Sequence, residues 1–411
     1  MISFITRQAA KVISPYKDLP GSVYILFLAQ IINRMGDFAN FFLTLYLTRF
    51  LGFSEKQTGI VLSLVGISMM AGALLGGRLS DWIGRKKIML TLQGLAALSV
   101  MICGFIPDKP LVALLLLIFT FFNGAVRPIN SALLADLTNQ NQRNSAFSLL
   151  YLGINIGVSA GPILAGFLFN HYRQWIFWGD ALTTMITIVL ILVFIKEPVK
   201  GEMILEVNEN HDSSSSLKAL LKRPVLAWYA LASVFSSFIY SQHVFTLPLQ
   251  ILHLFKEDGP RFFGFIMSFN ALAVLVLTPL LNYLCVHKKP LIRIAMGQLF
   301  YGLGFGLLIF KVPYGGWFFF TTLLWTTGEV LDAISGGVFI ANHCPVNHRG
   351  RFNSLFLISK GGGRTLAPLV SGFVLDSFGI TQMWGLCLIL GLVLFLLLRL
   401  LNQLDMRRRN S

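Results

Sequence analysis

Acidic residues are scarce in this chain. Only 18 of 411 positions are Asp or Glu, and charged residues of both signs make up 12%. Soluble domains carry about 25%, so a soluble globular domain is excluded. Cysteine is nearly missing as well. Cys103, Cys285, Cys344 and Cys387 form no CxxC and no paired ligand spacing, which excludes a cysteine-built metal centre. No metal and no cofactor is expected. The chain has no Gly-Lys-[Ser/Thr] phosphate loop, which argues against an ATP-driven pump. It has no nucleophile motif either, and no enzymatic activity is expected. The formal net charge is +15, yet the basic residues sit in short clusters between apolar stretches. That pattern sets membrane topology, and no nucleic-acid partner is expected. No Asn-x-Ser/Thr glycosylation site occurs, which fits a bacterial inner membrane.

What the chain has in abundance is apolar length. Mean hydropathy is +0.71, and runs long enough for a bilayer-spanning helix, about 20 residues, recur almost throughout. Twelve spans are predicted, at 22–47, 57–77, 88–106, 110–135, 146–169, 175–196, 225–251, 262–284, 291–310, 314–341, 352–375 and 381–400. The expected fold is an all-α membrane protein of twelve transmembrane helices in two pseudo-symmetric six-helix bundles. Residues 1–196 form the first bundle with a short basic N-terminal segment. Residues 197–223, polar and serine-rich, form a linker. Residues 224–411 form the second bundle with a basic tail. Placing both termini on one face collects 22 basic residues there against 7 on the other, so termini and linker are expected in the cytoplasm. The bilayer is the expected surrounding, and a monomer the expected state.

The two halves repeat at an offset of 206 residues. Arg143, Ser148, Leu149, Gly157, Pro162, Gly166 and Phe167 match Arg349, Ser354, Leu355, Gly363, Pro368, Gly372 and Phe373. The same offset sets Asp37 opposite His243. Parallel six-helix repeats around a central site are one known transporter architecture.

After the second span runs Gly77-Arg78-Leu79-Ser80-Asp81-Trp82-Ile83-Gly84-Arg85-Lys86-Lys87. It resembles the major facilitator signature G-x-x-x-D-[RK]-x-G-[RK]-[RK] between helices 2 and 3, with Trp82 in a place usually basic. The resemblance implies a conformational latch. Gly77 and Gly84 would permit close approach and a tight turn. Asp81 would dock on the start of helix 11, and Arg85, beside Lys86, would pair with Asp136 at the end of helix 4. The corresponding loop after helix 8 keeps Lys288 and Lys289 but lacks the Gly and Asp. Helix 5 carries Gly153, Gly157, Gly161-Pro162 and Gly166, which resembles the Gly-Pro motif of the drug:proton antiporter branch. Its small residues also suit plain helix packing. Gln30-Ile31-Ile32-Asn33-Arg34-Met35 is similar to the peptide-transporter motif E-x-x-E-R-F with both acids replaced by amides, which disfavours a peptide symporter.

Ionisable residues at bilayer depth are expensive and mark function by default. Helix 1 holds Arg34 and Asp37, helix 4 Arg127, helix 7 Gln242 and His243, helix 10 Glu329 and Asp332, and helix 11 Lys360 and Arg364. The family resemblance puts helices 1, 4, 7 and 10 around the central cavity. Burial disfavours the charged form of a carboxyl group, so Asp37, Glu329 and Asp332 are the proton-coupling candidates. Arg34, Arg127, Gln242, His243, Lys360 and Arg364 are the substrate-cavity candidates. The alternative is a set of structural ion pairs. The reading that results is a secondary transporter working by alternating access, exporting an amphipathic small molecule against protons. Its main alternatives are a proton-coupled importer or a lipid flippase for an anionic or zwitterionic substrate.

Overall fold

A helix satisfies its own backbone hydrogen bonds, which hydrocarbon demands, and the long apolar runs fold accordingly. The structure, a computed structural model, describes residues 16–106, 109–197, 224–344 and 349–410, without the side chains of Asp81, Lys109, 349–354 and 407–410. The described residues are helical with no strand, in twelve passes. These are α1 (Gly21–Met35 and Phe38–Leu45), α2 (Glu55–Ile83), α3 (Arg85–Cys103), α4 (Lys109–Asp136), α5 (Gln140–Phe169) and α6 (Trp175–Phe194). The second series is α7 (Pro224–Tyr240 and Thr246–Phe255), α8 (Gly259–Leu284), α9 (Pro290–Gly306), α10 (Gly315–His343), α11 (Arg349–Phe378) and α12 (Ile380–Asn410). Among the described residues, nine stretches are long and apolar enough to cross a membrane, one of them holding both α7 and α8. The broken α1 and α11, which carries Lys360 and Arg364, are not among them. The linker residues 198–223 lie outside the described residues.

Each predicted span overlaps one of these passes. α2 runs further than predicted, so Gly77 to Ile83 are its last turns and not a loop. It ends at Gly84, whose φ of +111° is open to glycine and strained for other residues. The expected close approach at Gly77 is not there, since a Cβ on it would meet nothing within 4 Å.

Packing divides the described residues into two units, 16–40 with 68–197, and 41–67 with 224–410. Residues 41–67, the end of α1 and the start of α2, thus pack with the second series. There Thr44 donates from Oγ1 to the Val244 carbonyl (2.7 Å), and Arg49 meets Glu257 at 2.7 Å. A stack of Trp325, Phe305 and Trp384, with centroids 5.5 and 5.9 Å apart, fills the middle of this unit. In the first unit Val23, Leu26, Met89, Ile129, Leu149 and Ile191 belong to one buried core.

α5 lies directly on α1 in the first unit. A Cβ on Gly157 would stand 2.6 Å from the Ile31 carbonyl and from the Arg34 Cβ. One on Gly161 would stand 2.6 Å from the Met35 carbonyl, and one on Gly153 2.9 Å from the Phe27 ring. Gly157 and Gly161 therefore let two backbones touch, as small residues do between membrane helices. The repeat preserves this contact. Gly363, the counterpart of Gly157, lies on α11 against the Val234 carbonyl of α7.

Candidate functional site

The site in the first unit is built on a broken helix. α1 stops at Met35, turns through Gly36 and Asp37, and resumes at Phe38. Glycine is a poor helix former and aspartate a good starter for the next piece, so the break falls where the sequence allows it. Arg34 ends the first piece, and its Nη1 donates to Asp37 Oδ2 at 2.7 Å. Both side chains are mostly buried, at 18% and 9% exposed.

Arg34 also lines a cavity among α1, α3, α4 and α6. The cavity has room of about 50 Å³, enough for a few waters at about 10–15 Å³ each. Its polar wall includes Gln30, Asn33, Gln93, Asn123, Arg127 and Asn130. Asn130 donates to Gln30 (3.2 Å) and Asn33 to Thr184 (3.3 Å). The Oδ1 of Asn130 and the Oε1 of Gln93 are buried without a hydrogen-bond partner. Such groups want a ligand or water. Arg34 and Arg127 supply the positive charge of this wall, and Gln30, Asn33, Gln93, Asn123 and Asn130 its amides.

The second unit carries a matching break of different chemistry. α7 stops at Tyr240, passes through one 3₁₀ turn and resumes at Thr246. Pro248 lies in the first turn of the second piece. It has no N–H to offer the Val244 carbonyl four residues back, and that carbonyl accepts Thr44 instead. Gln242 and His243 at this break sit 206 residues after Gly36 and Asp37. Gln242 is fully buried. It donates to the Phe238 carbonyl and accepts from Thr246 and Ser371. Those contacts suit a clasp across the break better than a cavity wall. His243 is buried, bonded through Nδ1 to the Tyr240 carbonyl and stacked on Trp325.

The acids of α10 have separate surroundings. Tyr240 donates to Glu329 Oε1 (2.8 Å) and Asn270 to Oε2 (2.9 Å), so neutral donors hold Glu329. Asp332 is paired with Lys360 of α11 at 2.7 Å. Arg364 is exposed and acts electrostatically on Glu329 and His243. In the first unit, Arg127 lines the polar cavity beside Arg34.

The α2–α3 turn forms a second cluster. Arg85 Nε meets Asp136 Oδ2 at 2.6 Å. Glu197 accepts from the backbone amides of Lys86 (3.0 Å) and Lys87 (3.1 Å), capping the positive start of α3. Lys86 Nζ donates to the Leu192 carbonyl. Sequence reading missed Glu197, whose only signal is an acid just after span 6. The side chain of Asp81 and residues 345–348 lie outside the described residues. In the second unit, His343 at the end of α10 meets Asp405 of α12 at 3.1 Å. Among the described residues no group of three His, Cys, Asp or Glu could hold a metal ion.

Two six-helix series with charged groups at a helix break are the architecture of a membrane transporter of small molecules. The family model described as Major Facilitator Superfamily matches residues 26–331, and the chain belongs to this superfamily of transporters. It is an integral membrane protein and not an enzyme. It is 25% identical to the uncharacterized MFS-type transporter YqjV of Bacillus subtilis (strain 168), over 89% of this chain and 88% of that one. It is 21% identical to a Na(+), Li(+), K(+)/H(+) antiporter of Planococcus maritimus, over 77% and 81%. Among solved structures it is similar to the nucleoside transporter NupG, with a TM-score of 0.78 at 18% identity, covering 93% of this chain and 99% of that one.

Proposed function

We propose that this chain is a proton-coupled secondary transporter of an amphipathic organic molecule with an anionic or zwitterionic head, working by alternating access. The observation that carries this reading is Arg34, which lines the polar cavity and holds Asp37 at the same time. An anionic head drawing on Arg34 takes away the counter-charge of Asp37. A buried carboxylate without a partner favours protonation. Substrate and proton then help each other to bind, and by reciprocity each raises the affinity for the other. That sign of coupling is co-transport. Export against protons is the second reading, favoured by the antiporter relative. A cationic group that competes with protons for the carboxylates would give that sign of coupling.

The first test uses purified protein in nanodiscs and tryptophan fluorescence. Octyl phosphate, octylphosphocholine and octyltrimethylammonium compete for the site. The phosphate and phosphocholine compounds are expected to bind about tenfold better, roughly 1.4 kcal/mol, and better still as pH falls. Arg34→Ala and Arg127→Ala should erase the preference. Tighter binding of the ammonium compound, weakening as pH falls, would establish the antiport reading instead.

The reading places the chain in a bacterial inner membrane, with both termini and residues 197–223 in the cytoplasm, because basic residues stay on that side. Native cysteines are buried, so a cysteine-free background is quiet. Ser214→Cys and Lys311→Cys should label from opposite sides, Lys311→Cys from outside intact cells. Labelling of both from outside would refute this topology.

A further inference from the structure

α6 brings one more charge to the break in α1. Asp180 lies between Gly179 and Thr183, and both of these pack into the break. A Cβ on Gly179 would stand 2.5 Å from the Phe38 ring, and one on Gly36 would collide with the Thr183 hydroxyl. Asp180 is 4% exposed. Its carboxyl group faces the backbone amide of Ala39, at the start of the second piece of α1. Its Oδ2 is buried and has no hydrogen-bond partner.

The charges acting on Asp180 are Asp37 and Arg34, both from α1. α3 and α5 also pack on α6; α3 adds the thiol of Cys103, which donates to the Ser99 carbonyl, and the ionisable residues of α5 are Arg143 and Tyr151. Asp37 holds the guanidinium in its 2.7 Å ion pair, Asp180 makes no ion pair with it, and the guanidinium Nε is itself without a partner. One negative charge is left over. The start of the second helical piece supplies about half a positive charge at most. A buried carboxylate without a full counter-charge is costly, and a proton removes the cost.

We propose that Asp180 is a further coupling residue, forming with Asp37 a carboxyl pair whose proton content follows Arg34. The pair holds one proton while Arg34 is engaged with Asp37. It takes a second when Arg34 turns to the substrate head. That proton comes from water on the side the cavity faces, adds to a carboxylate oxygen, and leaves to water on the other side. No other bond changes. The assignment rests on the proton-coupled reading above and adds the group that sequence reading omitted.

Infrared difference spectroscopy on the full chain in lipid tests it. The wild type should show a protonated-carboxyl C=O band that shifts in D₂O, and Asp180→Asn should lack that band. Asp180→Glu should keep it at a shifted frequency, which separates loss of the group from loss of the fold. Adding octyl phosphate to the wild type should enlarge the band about twofold. A band unchanged in Asp180→Asn, or no growth with octyl phosphate, overturns the proposal. So does loss of the wild-type band when NaCl replaces choline chloride, which would make an alkali cation the occupant. Transport does not enter these spectra. A wild type with the band but no accumulation under a pH gradient would sink the coupled-transport reading alone.

Discussion

Asp37→Asn is expected to abolish accumulation of the preferred octyl amphiphile under a pH gradient, while exchange of labelled for unlabelled compound continues. Exchange needs no net proton movement, so it survives loss of the group that takes up the proton. The same change should tighten binding of octyl phosphate. In the wild type Arg34 is held by Asp37 at 2.7 Å in a mostly buried pair. Removing one partner of such a pair leaves the other stranded, at a cost of about 3–5 kcal/mol. An anionic head recovers part of that, and tenfold tighter binding corresponds to about 1.4 kcal/mol. Proteoliposome uptake and fluorescence titration read the two effects separately. Glu329→Gln is the contrast, because neutral donors hold Glu329 and no cation is released by the change. If accumulation persists in both variants, coupling runs elsewhere, through Asp180, Asp332 or His243.

Gly157→Leu should lower the stability of the folded protein clearly. The Cβ alone would stand 2.6 Å from atoms of Ile31 and Arg34, and the rest of the side chain has to separate α5 from α1. Overpacking a tight contact costs typically about 1–3 kcal/mol, and here the contact on α1 includes backbone that has no rotamer to yield. A fall in Tm of about 5–10 °C is expected, since 1 kcal/mol moves Tm by about 2–4 °C in larger domains. Gly363→Leu should behave alike, because Gly363 lies against the Val234 carbonyl. Gly94→Leu is the control, with nothing within 4 Å of its Cβ. Equal Tm values for Gly157→Leu and Gly94→Leu would contradict the packing role of the α5 glycines.

The passes were legible because hydrocarbon leaves a helix no choice but to be apolar over its length. The 206-residue offset also anticipated structure, since Asp37 and His243 both fall at helix breaks. The breaks themselves were not legible as breaks. Gly36 and Asp37 sit inside a run that reads as continuous, and Pro248 acts four residues upstream of itself, at a carbonyl. Pairing was only partly readable. Arg34 with Asp37 follows from spacing along one helix. Lys360 with Asp332 joins two helices, and spacing says nothing of it. Asp180 met the criterion of an acid inside an apolar run. Near the start of a helix, however, an acid is ordinary, and only the fold reveals that this one lies at the break in α1 that holds Arg34 and Asp37.

The broken α1 bears on how the protein is made. Ribosomal synthesis delivers α1 to the membrane before α5 and α6 exist. A lone arginine or aspartate at mid-helix opposes insertion by about 2.5–3.5 kcal/mol on the translocon scale. Arg34 and Asp37, three residues apart and already paired, enter as a neutral unit that waits for no later helix. Lys360 is the reverse case, because its acid Asp332 stands on α10 and has been synthesised before α11 emerges. Each of these two cations thus reaches the bilayer with its counter-charge already in the nascent chain.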